Sequence, residues 1–235
     1  MKVAILLLAA GRGSRFGGPI PKAYLQLRFA TLLEHSAERL LRALRDEHDC
    51  QLLAVVHPDD RTSHLTTVAP KLAALRPNGG VQFVDGGASR QESMTRGLAA
   101  CAPDTELVLV HDAARALVPI AATRACVAAA AVHGAALLAV PAPDTLKRAH
   151  DGLVAATVDR TGIWLAQTPQ VIRRDLLVRA MAHAAATGFE GTDDVSLVEH
   201  LGLPVAIVTG SPNNLKITRP EDLPLAAAIL AAESA

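Results

Sequence analysis

The residues suited to chemistry fall in four short segments, each following a run of apolar residues. Ala9-Ala10-Gly11-Arg12-Gly13-Ser14-Arg15-Phe16-Gly17-Gly18 leads on to Pro21-Lys22. Glycines let a backbone approach phosphate oxygens closely and aim its N–H groups at them. Arg15 and Lys22 add two cations to the same loop, which suits a triphosphate whose negative charge grows at the reacting phosphorus. The loop lacks the Gly-Lys-Ser/Thr of a Walker motif. Phe16 also stands where a dinucleotide fingerprint requires its third glycine. Next comes Asp85-Gly86-Gly87-Ala88-Ser89-Arg90-Gln91-Glu92-Ser93, a glycine pair before a capped helix start, where a base or ribose edge can meet backbone groups. In His111-Asp112-Ala113-Ala114-Arg115, Asp112 ends a buried apolar run. It is a candidate Mg²⁺ ligand, because magnesium takes one or two carboxylates plus phosphate oxygens. Arg115 could hold a substrate phosphate through a bidentate pair, and His111 reads as structural. Finally, Asn213-Asn214-Leu215-Lys216-Ile217-Thr218 places Lys216 in what reads as a short apolar strand. A lysine there needs a partner, either Asp112 or a phosphate. Each segment alone also fits an ordinary turn or an edge strand; together they mark successive strand ends that one ligand could touch.

The elements that must position them alternate. Apolar runs at Lys2–Ala9, Gln51–Val56, Val81–Val84, Leu107–Val110, Ala135–Val140 and Val205–Val208 read as strands. Between them lie helix patterns opened by the pairs Thr31/Glu34, Ser89/Glu92 and Thr218/Glu221, each read as a capping box, with Pro220 placed for a first helical turn. Alternation of this kind implies an α/β fold: a Rossmann-like, mostly parallel sheet with helices on both faces, whose ligands bind outside the carboxyl ends of the strands. Residues 141–168 break the rhythm. Asp151-Gly152 is a hairpin signal between extended pieces at Thr145–Ala149 and Leu153–Val158, so this stretch reads as a β-arm inserted in the single domain 1–235.

The composition narrows the function. At 235 residues and 50% hydrophobic the chain can bury one large core and little more. Lys plus Arg and Asp plus Glu both number 23, and a balanced charge argues against a general nucleic-acid binder. Aromatics at 3% leave no stacking platform for single strands. Cys50, Cys101 and Cys126 have no paired spacing and read as reduced thiols. The apolar N-terminus is short and breaks into Gly11 and Arg12, so it reads as a buried strand and not a signal peptide. A cytoplasmic protein without membrane segments is expected.

LLLAAGRGSRFG with PKAYL, VDGGASRQES, LVHDAAR, PAPDTLKRA, TVDRTGIWLAQTPQ, TDDVSLVE and NLKITRPEDL occur in this order. Through them the chain resembles the 2-C-methyl-D-erythritol 4-phosphate cytidylyltransferases, from about residue 2 to about residue 230. Many nucleotidyltransferases share the first motif; the HDAAR, PxxDTxKR, TVDRxGxW and KITRPEDL patterns are more specific. The resemblance implies cytidylyl transfer from CTP to methylerythritol phosphate with Mg²⁺, in a nucleotide-diphospho-sugar transferase-like fold. It places Ala9, Ala10, Gly11, Gly87, Ala88, Ser93 and Ala113 against CTP. Arg15 and Lys22 fall at the transition state, and Asp112 at the metal and substrate. Lys216 would hold the phosphates of both substrates. Thr145, Arg160 and Thr192 would bind the polyol phosphate, with Arg115 and Thr168 nearby. It also implies a homodimer in which an arm carrying Thr145 and Arg160 reaches the partner subunit. Two positions depart from the family pattern. Ala116 stands in place of the usual proline, which would loosen that loop, and Ala88 replaces an acidic residue, so any contact there must come from backbone. The related ribitol 5-phosphate cytidylyltransferases share the chemistry and are the alternative. A dinucleotide-binding oxidoreductase is disfavoured by Phe16, and a non-catalytic scaffold would not need Lys22, Asp112 and Lys216 at strand ends.

Overall fold

The structure, a computed structural model, describes residues 1–12, 16, 18–76 and 80–233. The chain begins with β1 (Lys2–Leu8), a 3-10 turn at Lys22–Tyr24, the short pair β2 (Gln26–Leu27) and β3 (Ala30–Thr31), α1 (Leu32–Leu44) and β4 (Asp49–Val56). It continues through α2 (Asp60–Ser63), α3 (Leu65–Ala74), β5 (Gln82–Asp85), α4 (Arg90–Ala99), β6 (Leu107–Asp112), α5 (Ile120–His133) and β7 (Ala135–Pro141). Next come β8 (Leu146–His150), β9 (Leu153–Val158), β10 (Trp164–Arg173), α6 (Arg174–Thr187), α7 (Ser196–His200), β11 (Ala206–Thr209) and α8 (Asp222–Glu233).

The main sheet has the order β11-β7-β10-β6-β1-β4-β5. All neighbours pair in parallel except β10, which is antiparallel to both β6 and β7. Central strands covered on both faces must be apolar throughout, and β1 (KVAILLL) and β6 are buried accordingly. Helices α1, α3 and α5 cover one face through a cluster that includes Leu33, Leu40, Leu72 and Val127. Helices α4, α6 and α7 cover the other through Met94, Leu98, Leu177 and Val198. A third cluster joins Leu27 and Leu32 to Ile217, Ala226 and Leu230. Ala116 is completely buried in it, so packing holds the loop that the missing proline would have stiffened. Among the described residues no helix is long and apolar enough to cross a membrane.

Four expectations need correction. Residues 164–168, read as arm, begin β10, a central strand; the arm proper is the β8–β9 hairpin. Pro169 within WLAQTPQVIR removes a ladder donor and argues against a central strand. The sheet accommodates it with a register shift between Ala166 and Gln170. Lys216 is not in a strand: the chain from 210 to 218 is irregular, pinned to the sheet's neighbourhood by Ile217 N–H donating to the Ala114 carbonyl at 2.9 Å. Thr218 and Pro220 do not open α8. The Asp222 carboxylate accepts the N–H groups of Thr218 at 2.7 Å and Arg219 at 2.8 Å, and Pro224 occupies the first turn. Ser89 caps α4, but Glu92 bonds to Ala88 N–H instead of returning to Ser89, so that box is half formed.

The Thr31/Glu34 box is complete: Glu34 accepts from Thr31 N–H at 2.7 Å, and the Thr31 hydroxyl accepts from Glu34 N–H at 3.3 Å. Helix α1 packs on β1 and β4, so its cap contributes to the whole fold. Thr31→Ala should therefore lower unfolding stability by about 1 kcal/mol, visible as a shifted urea midpoint at unchanged slope. A midpoint equal to wild type would mean the cap contributes nothing.

Candidate active site

The carboxyl ends of β1, β4, β5 and β6 all reach one side of the sheet, because these strands are parallel. There a cavity of about 530 Å³ opens. Ala9, Ala10 and Gly11 form one wall at the end of β1, and Gly87, Ala88 and Ser93 form another after β5. Asp112 and Ala113 lie at the end of β6, while Lys22 and Lys216 reach in from the 3-10 turn and the 210–218 segment. Arg15 lies outside the described residues. The two glycine-bearing turns are in direct contact: a Cβ on Gly86 would stand 2.3 Å from the Ala10 Cβ and 3.1 Å from the Ser93 hydroxyl. Only glycine permits that approach.

The turn after β5 uses its own backbone donors. Gly87 N–H donates to the Ser93 hydroxyl at 3.0 Å, Ala88 N–H to the Glu92 carboxylate at 2.8 Å, and Ser93 in turn donates to the Ser89 carbonyl at 2.9 Å. Both N–H groups are thus engaged within the turn.

Asp112 is the electrostatic centre, 7% exposed. Its Oδ1 accepts from Arg90, and its Oδ2 faces the Lys216 ammonium at 2.7 Å. Burial would push this carboxyl up, but the Arg90 guanidinium and the Lys216 ammonium together hold it far below the usual carboxylate range. Arg90 also donates to Asp194 at 2.6 Å. Asp194 is fully enclosed, and desolvation outweighs Arg90 enough to raise its carboxyl. Arg90 and Asp194 are partners at the site that the sequence did not reveal. They are 104 positions apart, and no local pattern links them. Arg12, at the start of the glycine loop, is tied to Asp60 at 2.9 Å and Asp59 at 2.6 Å beside His57, which moors that loop to the turn after β4. Lys22 is half-buried, and its charge helps lower the Asp222 carboxyl, behind the backbone bonds Asp222 accepts from Arg219 and Thr218.

Lys216 is held over Asp112 by a backbone scaffold. The Asn214 side chain donates to Gln167 Oε1 at 3.1 Å and to the Thr168 carbonyl at 3.0 Å, Gln167 donates to the Ser211 carbonyl at 2.8 Å, and Arg115 donates to the Asn214 carbonyl at 2.7 Å. Arg115 donates also to the Ala166 carbonyl at 3.3 Å and does not line the cavity. The bidentate phosphate grip read for it is thus not the arrangement found; its fork braces the 210–218 segment against β10. Thr168 is buried too, its hydroxyl accepting from Asp112 N–H at 3.1 Å and standing 3.0 Å from His111 Nδ1. His111 Nε2 lies 3.2 Å from the Arg115 carbonyl, which can only accept, so Nε2 carries the proton and Nδ1 accepts from Thr168. Burial pushes the His111 imidazole down to about 4, and it is a structural link as read from the sequence. Thr145 and Arg160 sit exposed at the base of the arm, just before β8 and just after β9, Arg160 donating to the carbonyls of Ala142 and Pro143, and Thr192 is exposed on the loop before Asp193; none of the three lines this cavity.

Residues 3–232 match the family model described as 2-C-methyl-D-erythritol 4-phosphate cytidylyltransferase. Relatives of that name include one from Chromobacterium violaceum, 47% identical over 231 residues that cover 97% of both chains. Another, from Pelotomaculum thermopropionicum, is 43% identical over 98% of this chain and 95% of its own. Among solved structures, 2-C-methyl-D-erythritol 4-phosphate cytidylyltransferase from Thermus thermophilus is similar with a TM-score of 0.76 and 38% identity over 97% of this chain and 98% of that one. With a match that runs the length of the sheet and every wall of the cavity, this chain belongs to the 2-C-methyl-D-erythritol 4-phosphate cytidylyltransferase family.

Proposed function

We propose that this cavity carries out cytidylyl transfer from CTP to 2-C-methyl-D-erythritol 4-phosphate, the step that gives the isoprenoid precursor 4-diphosphocytidyl-2-C-methyl-D-erythritol and pyrophosphate. The observation that carries the reading is the convergence of Lys22, Lys216 and Asp112 with the two glycine turns in one cavity. A substrate phosphate oxygen attacks the α-phosphorus of CTP, the new P–O bond forms, and the bond to the β-phosphate oxygen breaks to release pyrophosphate. Lys22 and Lys216 neutralise charge on the phosphates, and Arg15 joins them from the glycine loop. The carbonyls of the Gly87–Ala88 turn suit the exocyclic amino group of cytosine, a donor; uracil would present an oxygen there. The small side chains of Ala9, Ala10, Gly11 and Ala113 let the backbone come close to the base, so that main-chain groups can read a pyrimidine edge.

The donor set also fits a divalent cation. Magnesium takes one or two carboxylates together with phosphate oxygens, and Asp112 stands in the cavity with the groups proposed to hold the triphosphate. Asp112 would be that carboxylate, since its Oδ2 faces only a partly exposed ammonium. When bound, the ion supplies charge neutralisation on the triphosphate.

A homodimer completes the proposal. The β8–β9 hairpin stands apart from the main sheet, with Leu153 75% and Val154 65% exposed. Such a hairpin is marginal alone in water and is stabilised by packing on a second copy. Thr145 and Arg160 would then meet the polyol phosphate in the partner's cavity, alongside that subunit's Thr192, with Arg115 and Thr168 supporting the site. A cytoplasmic setting suits the three buried unpaired cysteines, whose thiols burial raises to about 11 at Cys50 and Cys101 and about 12 at Cys126.

Pyrophosphate release is the direct test. CTP should be strongly preferred over UTP, ATP and GTP, and methylerythritol phosphate over ribitol 5-phosphate. Equal turnover with UTP or ATP would remove the cytidylyl reading, and preference for ribitol phosphate would move the chain to the sister activity.

Lys22→Ala should lower kcat about a hundredfold or more, because its charge acts mainly where phosphoryl charge builds. Near wild-type kcat with only a raised KM for CTP would refute the role.

Crossed arms can be tested by mixing. Lys22→Ala and Arg160→Ala homodimers should each be nearly inactive. After free exchange at equal amounts, half the dimers are mixed, and each mixed dimer has one site with both defects and one with neither. Activity should recover to about a quarter of wild type. No recovery, with exchange verified by mass, would leave Arg160 serving its own subunit.

A further inference from the structure

Arg90 lines the head of the cavity and has no part in the mechanism above. It is the first residue of α4, and its guanidinium divides two nitrogens between two acids: one donates to Asp112 Oδ1, the other to Asp194 Oδ2 at 2.6 Å. The second acid is a fixed anchor. Asp194 is 2% exposed, and its own N–H and that of Val195 both donate to Gln170 Oε1, at 2.8 and 2.9 Å. Gln170 in turn donates to Asp193 at 2.8 Å, and it belongs to β10, paired on both sides within the main sheet. The other contact of the Asp112 carboxylate is the Lys216 ammonium, whose side chain is 40% exposed and which is the group best placed to turn toward a phosphate. The orientation of the Asp112 carboxylate therefore rests on Arg90. A planar guanidinium can hold two acceptors at a set angle, whereas an ammonium is a point charge on a flexible stem.

We infer that Arg90 is a positioning residue for cytidylyl transfer: braced on Asp194, it fixes the Asp112 carboxylate and does not itself contact the reacting phosphates. The inference rests on the functional reading above. It is distinct from one in which Arg90 grips the nucleotide directly, and a double-mutant cycle separates the two.

Arg90→Lys keeps the charge and removes the fork. In the otherwise native enzyme it should lower kcat by about ten- to a hundredfold, as expected for a displaced group, with KM for CTP changed by less than about threefold. Asp194→Asn should act in the same direction. In an Asp112→Asn background, Arg90→Lys should change kcat by less than about twofold, because the group it positions is already lost. Equal fold-losses in both backgrounds, or a loss seen mainly in KM for CTP, would overturn the inference and give Arg90 its own contact with substrate. The brace is also read without turnover, from thermal unfolding of Arg90→Lys, Asp194→Asn and the double variant. Non-additive shifts in melting temperature support it, and additive shifts overturn it whatever the activity. Absence of pyrophosphate release by the wild-type enzyme would instead remove the functional reading alone.

Discussion

A carboxylate at the end of a buried strand stays charged only if cations are brought to it, and the architecture of the active end follows from meeting that need at Asp112. Arg90 arrives on the first turn of α4, and Lys216 on an irregular segment that has no ladder to hold it. Breaking a pair at this depth costs about 3–5 kcal/mol, chiefly because the remaining charge is stranded. The elements that deliver the two cations are accordingly tied down: α4 by the Ser89 cap, and the Lys216 segment by Asn214, Gln167 and Arg115. The same carboxylate makes the cavity adaptable. One of its oxygens is paired with a group fixed from below, the other with a partly exposed ammonium.

Beneath Asp112 a second layer is entirely neutral. Thr168 accepts from the Asp112 backbone, His111 accepts from Thr168, and His111 donates to the Arg115 carbonyl. A charged imidazole there would compete with Arg90 and Lys216 for the Asp112 carboxylate, and burial keeps it uncharged. This layer thus carries only dipoles, which need no counter-ion; the charge buried nearby, at Asp194, is paired with Arg90.

How much of this was legible in the sequence depended on whether the signal was local. The apolar runs of β1, β4 and β6 declare themselves as strands, and the glycine turns and Asp112 follow directly from where those runs stop. The pairing of Lys216 with Asp112 was one of two partners that a lysine in an apolar setting required, and it is the one found. β10 was hidden because Gln167, Thr168, Pro169 and Gln170 interrupt its apolar pattern. Those same residues build the Thr168 and Gln170 contacts, so function erased the signal of structure. Arg90 with Asp194, and Arg12 with Asp59 and Asp60, are contacts between distant segments, and nothing in the spacing of either partner points to the other. The start of α8 was misplaced because Thr218-Arg219-Pro220-Glu221 imitates a capping box, while Asp222 bonds back to the N–H groups of Thr218 and Arg219.

The antiparallel course of β10 settles where the arm can be. β7 runs toward the ligand-binding rim like its parallel neighbours, and β10 runs back from it, so the segment between them must emerge at that rim. A helical crossover would have carried the chain to the opposite end of the sheet before it returned. Here the hairpin is an outgrowth of the rim itself, anchored by two adjacent strands of the core. Its length can change in steps of paired residues without moving any strand beneath it, so the reach of the arm and the stability of the sheet are separate variables, open to independent adjustment by insertion and deletion.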